Sequence, residues 1–164
     1  MTIFTFLEKN GIGYQRFDHP AVFTCEEADR LVPPMPGIKS KNLFLRDRRG
    51  RRHFLVIVPA EKSVDLRALS QELGVPGLSF ASPERLMKHL GVEAGSVSFL
   101  SIYNNIEGNV EVVFDIDIWA STHLQCHPLI NTSTLLIGHD AVVSIMELTG
   151  HNHHLLEVPE RKPG

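Results

Sequence analysis

Lys41 and Asn42 open an apolar run directly after a segment rich in proline and glycine. A lysine at the mouth of a strand can hold a phosphate or polarise a carbonyl group, because its ammonium is a compact charge on a flexible stem. The neighbouring asparagine offers both a hydrogen-bond donor and an acceptor. The pair is therefore a candidate catalytic centre, although a solvated lysine beside a turn asparagine has the same pattern.

A second candidate centre lies in the segment Cys126-His127-Pro128-Leu129-Ile130-Asn131-Thr132. His127 precedes a proline, which holds its backbone extended, so its imidazole can serve as an acid, a base or a group that binds an ester. A turn histidine that only hydrogen-bonds locally is the alternative. Neighbouring residues of a strand point to opposite faces, so Cys126 and His127 do not form an obvious pair of nucleophile and base.

A third feature is a cluster of five arginines within residues 46–52, at the expected tip of a β-hairpin. The five are Arg46, Arg48, Arg49, Arg51 and Arg52. Guanidinium groups bind phosphates bidentately, and a chain with a formal net charge of only -3 needs such a local patch to bind RNA. A basic turn that protects the hairpin edge from aggregation explains the cluster equally well.

The sequence contains no complete set of metal ligands. Two clusters lack the spacing of a zinc site, so no metal is expected. They are His123, Cys126 and His127, and His151, His153 and His154. The segment 95–98 leaves room for a ligand, to which Ser96 and Ser98 can donate hydrogen bonds, but it is equally ordinary as a loop. No P-loop, dinucleotide or GxSxG fingerprint is present, and no cofactor is expected.

Composition and charge are those of a globular protein. The 164 residues are 43% hydrophobic and 21% charged, which fits one folded domain over residues 1–164. Two cysteines do not make a disulfide framework, so the reducing cytoplasm is the expected compartment. The first apolar run ends at Glu8, too early for a signal peptide, and no stretch reaches the ~20 apolar residues of a membrane span.

Capping and turn residues predict the elements that must position these side chains. Helices are predicted over residues 2–10 and 26–31, between Asp65 and Gly74, between Ser82 and Gly91, and over residues 140–148. Strands are predicted over residues 12–17, 41–46, 53–58, 98–103, 110–116, 124–127, 134–137 and 155–158. Because strands and helices do not alternate strictly, the expected class is α+β with a mixed, mainly antiparallel sheet.

Five motifs follow one another between about residues 10 and 140. They are His19-Pro20-Ala21-Val22-Phe23-Thr24, Lys41-Asn42-Leu43-Phe44-Leu45-Arg46-Asp47, Leu78-Ser79-Phe80-Ala81-Ser82-Pro83-Glu84, Gly95-Ser96-Val97-Ser98 and His127-Pro128-Leu129-Ile130-Asn131-Thr132. Their order and spacing resemble the YbaK-like aminoacyl-tRNA editing domains, also called prolyl-tRNA-synthetase-associated domains, and most of all the free-standing branch that clears alanyl-tRNA(Pro). The resemblance implies a partly barrel-like sheet surrounded by helices, and hydrolysis of an aminoacyl ester on the 3′-terminal adenosine.

The resemblance also implies roles for individual residues. Lys41 matches the family's lysine and would bind the terminal phosphate or the ester carbonyl, while Asn42 would orient the amino acid or water. His127 and its loop, with Pro128 and Asn131, would hold the ester and the ribose. The family is thought to activate water with the substrate's own ribose hydroxyl, so the protein would supply positioning and charge stabilisation.

The expected amino-acid pocket works by size. Cys25, Leu45 and Cys126 neighbour the motifs and are expected to line it, together with Ser96. Proline would be too large and a small side chain would fit, which is the logic of a second sieve. Gln125 stands where the family's Gly-x-His-Pro motif has glycine, and glutamine restricts the backbone more than glycine does.

The expected function is therefore trans-editing of mischarged tRNA(Pro), with alanyl-tRNA(Pro) as the first candidate substrate. Seryl, threonyl or other mischarged tRNAs are alternatives, because a hydroxyl is nearly isosteric with a small methyl group. A non-catalytic tRNA-binding module of this fold and a metal-dependent hydrolase that uses the histidines are further alternatives. The acceptor end of tRNA is the expected partner, a role for prolyl-tRNA synthetase is left open, and neither a membrane nor DNA is expected. Free-standing action is expected, because 164 residues leave no room for a synthetase.

Overall fold

The computed structural model describes residues 2–21, 36–130 and 132–162. In these ranges the α-helices are α1 (Ile3–Lys9), α2 (Leu66–Leu73), α3 (Pro83–Leu90), α4 (Ile116–Ala120) and α5 (His139–Thr149). The strands are β1 (Gln15–Asp18), β2 (Ser40–Asp47), β3 (His53–Pro59), β4 (Leu78–Phe80), β5 (Val110–Asp115), β6 (His123–Cys126), β7 (Ser133–Gly138) and β8 (His153–Leu156). Two 3-10 helices span Ala94–Ser96 and Phe99–Asn104. None of the described helices is long and apolar enough to cross a membrane.

The larger sheet has five strands in the order β4-β2-β3-β5-β8. At its centre β2 and β3 form the predicted antiparallel hairpin, in which Lys41 pairs with Val58 and Arg46 with His53. β4 pairs antiparallel with β2, but only opposite Leu45 to Asp47. β5 and β8 extend the other side in parallel. The predicted α+β class with a mixed sheet is confirmed.

A smaller antiparallel sheet, in the order β1-β7-β6, packs beside the larger one. The two are joined where Ile38, just before β2, forms a parallel bridge to Leu124 of β6. This junction brings the start of β2 next to the strand that leads into His127. The fold therefore assembles the two candidate centres from segments that are far apart in the sequence.

Hydrophobic clusters cover both faces of the larger sheet, as the uniformly buried β3 requires. The larger cluster fills the space between the two sheets and includes Phe44, Phe114, Cys126 and Leu135. The smaller cluster lies on the opposite face, where Leu45 and its neighbours on β3 pack against α2. The inner strands are thus rigidly packed, and ligands must bind at the edges and ends of the sheet.

Local capping chemistry explains why most predicted helices are confirmed. The Asp65 side chain accepts a hydrogen bond from the Ala68 amide at the start of α2, and Ser82 caps α3 in the same way. Both helices end at glycines in the left-handed conformation. The helix predicted over residues 26–31 lies outside the described residues.

The strand predicted over residues 98–103 is wrong, because these residues form a 3-10 helix. The Ser98 hydroxyl accepts a hydrogen bond from the Leu100 amide, and the Ser98 amide donates to the Ser101 hydroxyl. These local bonds start a helix despite the β-forming side chains that follow. Two short elements, β4 and α4, were not predicted, and the last strand begins two residues earlier than expected, at His153.

A buried aromatic stack links the hairpin to α3 and makes folding sensitive to acid. His53 is 5% exposed, stacks on Phe44 and lies beside His89, with ring centroids 4.1 Å apart. Arg85 Nη1 donates to His53 Nε2 at 3.1 Å, which requires a neutral imidazole. Burial, together with the charges of His89 and Arg85, lowers the pKa of His53 to about 4.

We expect this histidine to destabilise the protein as the pH falls from 7 to 5. The unfolded chain takes up a proton near pH 6.5 and the folded chain does not, so the free energy of unfolding decreases by about 2 kcal/mol through His53. Urea unfolding at both pH values measures the change. The control is His53→Gln, which keeps an acceptor for Arg85 but does not titrate, and an equal loss in both proteins would contradict the assignment.

Candidate functional site

The start of β2 runs side by side with β6, in the same direction. The Ile38 amide donates to the His123 carbonyl at 3.0 Å, and the Gln125 amide donates to the Ile38 carbonyl at 3.1 Å. The Ser40 hydroxyl adds a bond to the Gln125 carbonyl at 3.2 Å. Because both segments leave this junction together, Lys41 and Asn42 emerge next to the chain that continues into His127.

Lys41 and Asn42 occupy successive positions of a regular strand, so their side chains start on opposite faces. Asn42 shares its face with Phe44, which belongs to the cluster between the sheets. Lys41 shares its face with Leu43, which packs against the opposite cluster. Among the described strands, only β4 covers the outer edge of β2, beginning at Leu45. A ligand lying across the uncovered part of this edge can therefore contact both side chains.

Asn42 carries an unsatisfied acceptor. Its Oδ1 atom is buried and has no hydrogen-bond partner, the single such side-chain atom among the described residues. A buried polar atom without a partner costs about 1–3 kcal/mol, so folded proteins rarely keep one without a reason. The carbonyl oxygen of Asn42 is thus an acceptor that the described fold leaves unused.

The His127 loop is held from both sides. The Ser98 hydroxyl donates to the His127 carbonyl at 2.6 Å, and His127 Nδ1 lies 3.2 Å from the Ser133 carbonyl. Because a carbonyl oxygen can only accept, Nδ1 carries the proton and Nε2 keeps its lone pair. Burial lowers the pKa of His127, so the ring is neutral at pH 7. Two residues on, Leu129 has a φ of 70°, a strained conformation for a residue with a side chain.

The far end of this loop is tied to β1. The His19 amide donates to the Thr132 carbonyl at 2.9 Å, and His19 Nδ1 lies 2.8 Å from the Pro20 carbonyl, so Nδ1 is the protonated nitrogen. His19 Nε2 consequently accepts from the Thr134 hydroxyl at 2.9 Å. The Ser133 hydroxyl donates to the Asp18 carboxylate, which holds the pKa of Asp18 below its usual range. The strained turn is therefore fixed at both ends.

The remaining candidates for the amino-acid pocket differ in position. Leu45 is fully buried beneath α2, away from the junction. Cys126 is buried between the sheets, and burial raises the pKa of its thiol to about 12, so it is not a nucleophile at neutral pH. Ser96 is half-buried in the first 3-10 helix, and Pro128 is buried within its loop. Cys25 and Asn131 lie outside the described residues.

Gln125 lies in β6 and ties this strand to the segment before β2. Its side-chain amide donates to the carbonyls of Pro36 and Gly37 at 3.2 and 3.4 Å. Gly37 has a φ of 95°, which favours glycine, and a β-carbon there would lie 2.5 Å from the end of the Leu136 side chain, which would have to shift. A glycine at position 125 would have no side chain to make these hydrogen bonds. Gln125 thus anchors the segment that leads to Lys41.

The arginine cluster lies at the opposite end of β2, about 20 Å from Lys41 at the rise of a strand. Asp47 organises the turn by accepting bonds from the amides of Arg51 and Arg52. Arg52 is engaged by Glu111 through two bonds of 2.7 and 2.8 Å, so its charge is largely compensated. Arg48, Arg49 and Arg51 are exposed, and Arg46 is half-buried.

A groove of about 630 Å³ runs along this basic tip, between the hairpin and the residues that follow α2. It is lined by Asp47, Arg49, Arg51, Arg52, Gly74, Val75 and Pro76. A further arginine reaches the tip from α3, where Arg85 Nη1 donates to the Gly50 carbonyl at 3.1 Å. Guanidinium groups of this kind are suited to bind phosphates, and the tip that carries them lies some distance from the junction.

The clustered histidines have separate partners. His151 bonds to Asn105 at 3.0 Å, His153 stacks on Trp119, and His154 pairs with Glu111 at 2.9 Å. Within the described ranges no group of three or more His, Cys, Asp and Glu side chains is placed to hold a metal ion.

Sequence reasoning missed the residues that support the site. The sequence does not indicate Ser133 and Thr134, because a lone hydroxyl residue carries no signal of its partner, and it indicates Ser98 only as part of the segment 95–98. His19 was noticed only as part of a motif, and Arg85 only as a helix residue. A histidine that precedes proline, as both His19 and His127 do, is the one pattern that points to this pair.

Comparison with known proteins matches the sequence of this chain to a family. The aminoacyl-tRNA editing domain family matches residues 19–144, which include both candidate centres. The chain is 33% identical over 152 residues to prolyl-tRNA editing protein ProX of Acetoanaerobium sticklandii, covering 93% of each chain. It is 35% identical over 153 residues to prolyl-tRNA synthetase associated domain-containing protein 1 of Danio rerio, covering 92% of this chain and 83% of that protein.

The fold has relatives among solved structures as well. The crystal structure of a candidate trans-editing enzyme for prolyl tRNA synthetase superposes with a TM-score of 0.70 at 20% identity, over 97% of this chain and 96% of that one. At this identity the likeness concerns the fold alone. The match over most of the sequence, with two relatives above 30% identity, establishes that this protein belongs to the aminoacyl-tRNA editing domain family.

Proposed function

We propose that this protein clears mischarged tRNA(Pro) in trans by hydrolysing the ester of alanyl-tRNA(Pro). The observation that carries the proposal is the buried, unsatisfied Oδ1 of Asn42, on the strand that begins beside β6, in a chain of the editing family. An acceptor kept without a partner suits a substrate that brings its own donors, as the ammonium of an aminoacyl group does.

The chemistry needs a water molecule and no covalent intermediate on the protein. Water attacks the ester carbonyl, the bond between the carbonyl carbon and the ribose oxygen breaks, and alanine and a tRNA with free hydroxyls are released. Lys41 binds the terminal phosphate or stabilises negative charge on the carbonyl oxygen. Cys126, whose thiol stays protonated, does not compete as a nucleophile.

Neutral His127 is suited to hold the ribose. Its Nε2 lone pair can accept a hydrogen bond from a ribose hydroxyl, which orients the oxygen of that hydroxyl to accept a hydrogen bond from the attacking water. The fixed loop supplies orientation rather than reactivity, since Leu129 is held in a strained conformation that a mobile loop would relax. Pro128, Ser96, Asn131 and Cys25 remain predicted contacts of the ester and the amino acid.

Selection by size fits the reaction. One methylene contributes only ~1–3 kcal/mol to binding, so binding energy alone separates alanine from proline poorly. A pocket that admits alanine and sterically excludes proline avoids this limit. Serine is the close competitor, since its hydroxyl adds little volume. Leu45 shares its face of β2 with Lys41 but is fully buried beneath α2, so it does not offer an accessible surface to the amino acid.

The test is deacylation of labelled alanyl-, seryl- and prolyl-tRNA(Pro) by the purified protein. Rapid loss of alanine with proline retained is the expected result. Preferential loss of serine would support the same hydrolysis with seryl-tRNA(Pro) as the substrate. If none of the three amino acids is released and the tRNA still binds, the second candidate function applies, which is a non-catalytic tRNA-binding module. The exposed arginines of the hairpin favour this candidate. Repeating the assay with and without prolyl-tRNA synthetase tests whether a synthetase takes part.

Gln125 offers a test of how the site is held in place. We expect Gln125→Leu, which keeps the volume and removes both amide hydrogen bonds, to lower kcat about tenfold, because small displacements of positioning groups cost rate. KM for the tRNA should stay within about twofold, since Gln125 lies far from the arginine tip. Steady-state kinetics on alanyl-tRNA(Pro) measure both.

The matched control is Gln71→Leu, the same substitution at an exposed position of α2. It should leave kcat unchanged. A Gln125→Leu protein with wild-type kcat would show that the anchor to Pro36 and Gly37 does not position Lys41.

A further inference from the structure

Phe80 is an exposed aromatic residue on the edge of the larger sheet. It ends β4, pairs with Leu45 of β2 and is 63% exposed. Edge strands with exposed apolar side chains invite aggregation, so proteins usually avoid them. Ala81, the next residue, packs against the larger hydrophobic cluster. The chain therefore partly buries an apolar side chain at this position but leaves the ring of Phe80 in solvent. The exposed ring therefore needs an explanation outside the fold.

The ring lies on the same face of the sheet as Lys41. Directly opposed residues of an antiparallel pair share a face, so Phe80 shares the face of Leu45, and strand alternation puts Lys41 on that face too. Lys41 and Leu45 are four positions apart along the strand, which is about 13 Å. A few nucleotides of single-stranded RNA can span this distance.

Positive charge continues beyond Phe80 along the same edge. Arg48 folds over the residue that precedes β4, since a β-carbon on Gly77 would lie 3.6 Å from Arg48 Nε and Nη2. Phe80 thus stands between Lys41 on one side and the guanidinium of Arg48 on the other. In a chain with a formal net charge of -3, an aromatic ring between two cations is complementary to a single strand of nucleic acid, with phosphates for the cations and a base for the ring.

We propose that Phe80 is a stacking platform for a nucleobase of the single-stranded 3′ end of the tRNA, a few nucleotides before the esterified adenosine. The assignment rests on the proposed function, which puts the ester at Lys41. Base stacking on an aromatic side chain is tolerant of sequence and strengthens binding of single strands. Phe80 therefore guides the strand from the arginine tip to the reaction site and takes no part in the chemistry.

The test compares two substrates that differ in reach. Phe80→Ala should lower kcat/KM for full-length alanyl-tRNA(Pro) roughly tenfold, mainly through KM. Hydrolysis of alanine esterified to adenosine alone should change less than about twofold, because this substrate ends before it reaches Phe80. Phe80→Tyr should behave as wild type, and Phe80→Leu, which is apolar but has no ring, should resemble Phe80→Ala.

The control is Ile106→Ala. This variant removes another exposed apolar side chain, which is 93% accessible and lies in the turn before β5. Equal losses on both substrates, or full activity in Phe80→Leu, would overturn the stacking assignment. Binding of uncharged tRNA(Pro), measured for the same variants, separates this inference from the proposed function. If the wild-type protein hydrolyses none of the substrates, the proposed function fails. In that case, weaker tRNA binding by Phe80→Ala still supports the stacking platform, and unchanged binding overturns it.

Discussion

Replacing Lys41 by alanine is expected to lower kcat/KM for alanyl-tRNA(Pro) roughly 10²- to 10³-fold, because the variant lacks the charge that the proposed function assigns to the developing oxyanion. The strand should survive the change, since Lys41 pairs with Val58 through the main chain and its side chain is only half-buried. Single-turnover deacylation with the variant in excess measures the loss in rate. Circular dichroism and a thermal melt establish that the fold is retained.

Two further variants decide what the lysine does. Lys41→Arg keeps the charge but changes its shape, so partial activity points to charge stabilisation and none points to a requirement for the compact ammonium. Lys88→Ala removes an exposed lysine of α3 and should leave the rate unchanged. A Lys41→Ala protein that is folded and fully active would exclude Lys41 from the reaction, and one that does not fold would make the residue structural.

The elements that the sequence predicts well are those set by neighbouring residues. The hairpin around Gly50 and the capped helices α2 and α3 depend on turn glycines, cap side chains and alternation within a few positions. The same local logic explains the failure at Ser98, where a hydroxyl cap starts a 3-10 helix and overrides the β-forming residues that follow. Short elements such as β4 carry too few residues to show any period.

The candidate site is harder to predict, because its contacts join distant parts of the chain. Ser98 bonds to the His127 carbonyl across 29 residues, and His19 bonds to Thr134 across 115 residues. A single sequence identifies Lys41, Asn42 and His127 by residue type, but it gives no sign of which hydroxyl groups hold them. Their supporting contacts follow from the sheet pairing, which is a property of the whole chain.

Neighbours in a motif are not always neighbours in space. Lys41 and Asn42 start on opposite faces of β2, and Leu45, four residues on, is sealed beneath α2. In the arginine cluster, the guanidinium of Arg52 is paired with Glu111. Arg85, which lies outside the cluster in the sequence, reaches the hairpin tip from α3. Strand alternation makes the first of these separations predictable, once the strand is assigned. The second depends on tertiary packing and is not predictable from spacing.

Asp115→Ala is expected to lower the free energy of unfolding by about 3–5 kcal/mol, because it breaks a buried ion pair and leaves the Lys62 ammonium, which also donates to the Val158 carbonyl at 3.0 Å, without a counter-charge. The Asp115 side chain is 0% exposed, and its Oδ2 accepts from Lys62 Nζ at 2.7 Å and from the Val158 amide at 3.1 Å. Its Oδ1 accepts from the Asp117 amide and caps α4. Urea unfolding of wild type and variant at pH 7 measures the loss.

A double-mutant cycle with Lys62→Met separates the ion pair from the other bonds of Asp115. The double variant should be more stable than Asp115→Ala alone, because it no longer buries an unpaired ammonium, while the amides of Val158 and Asp117 still lack their acceptor. Asp117→Ala is the control, since this exposed carboxylate two residues away should cost only about 0.5 kcal/mol. Strictly additive losses in the cycle would mean that Lys62 does not depend on Asp115, and that the end of β5 is held by the capping bonds alone.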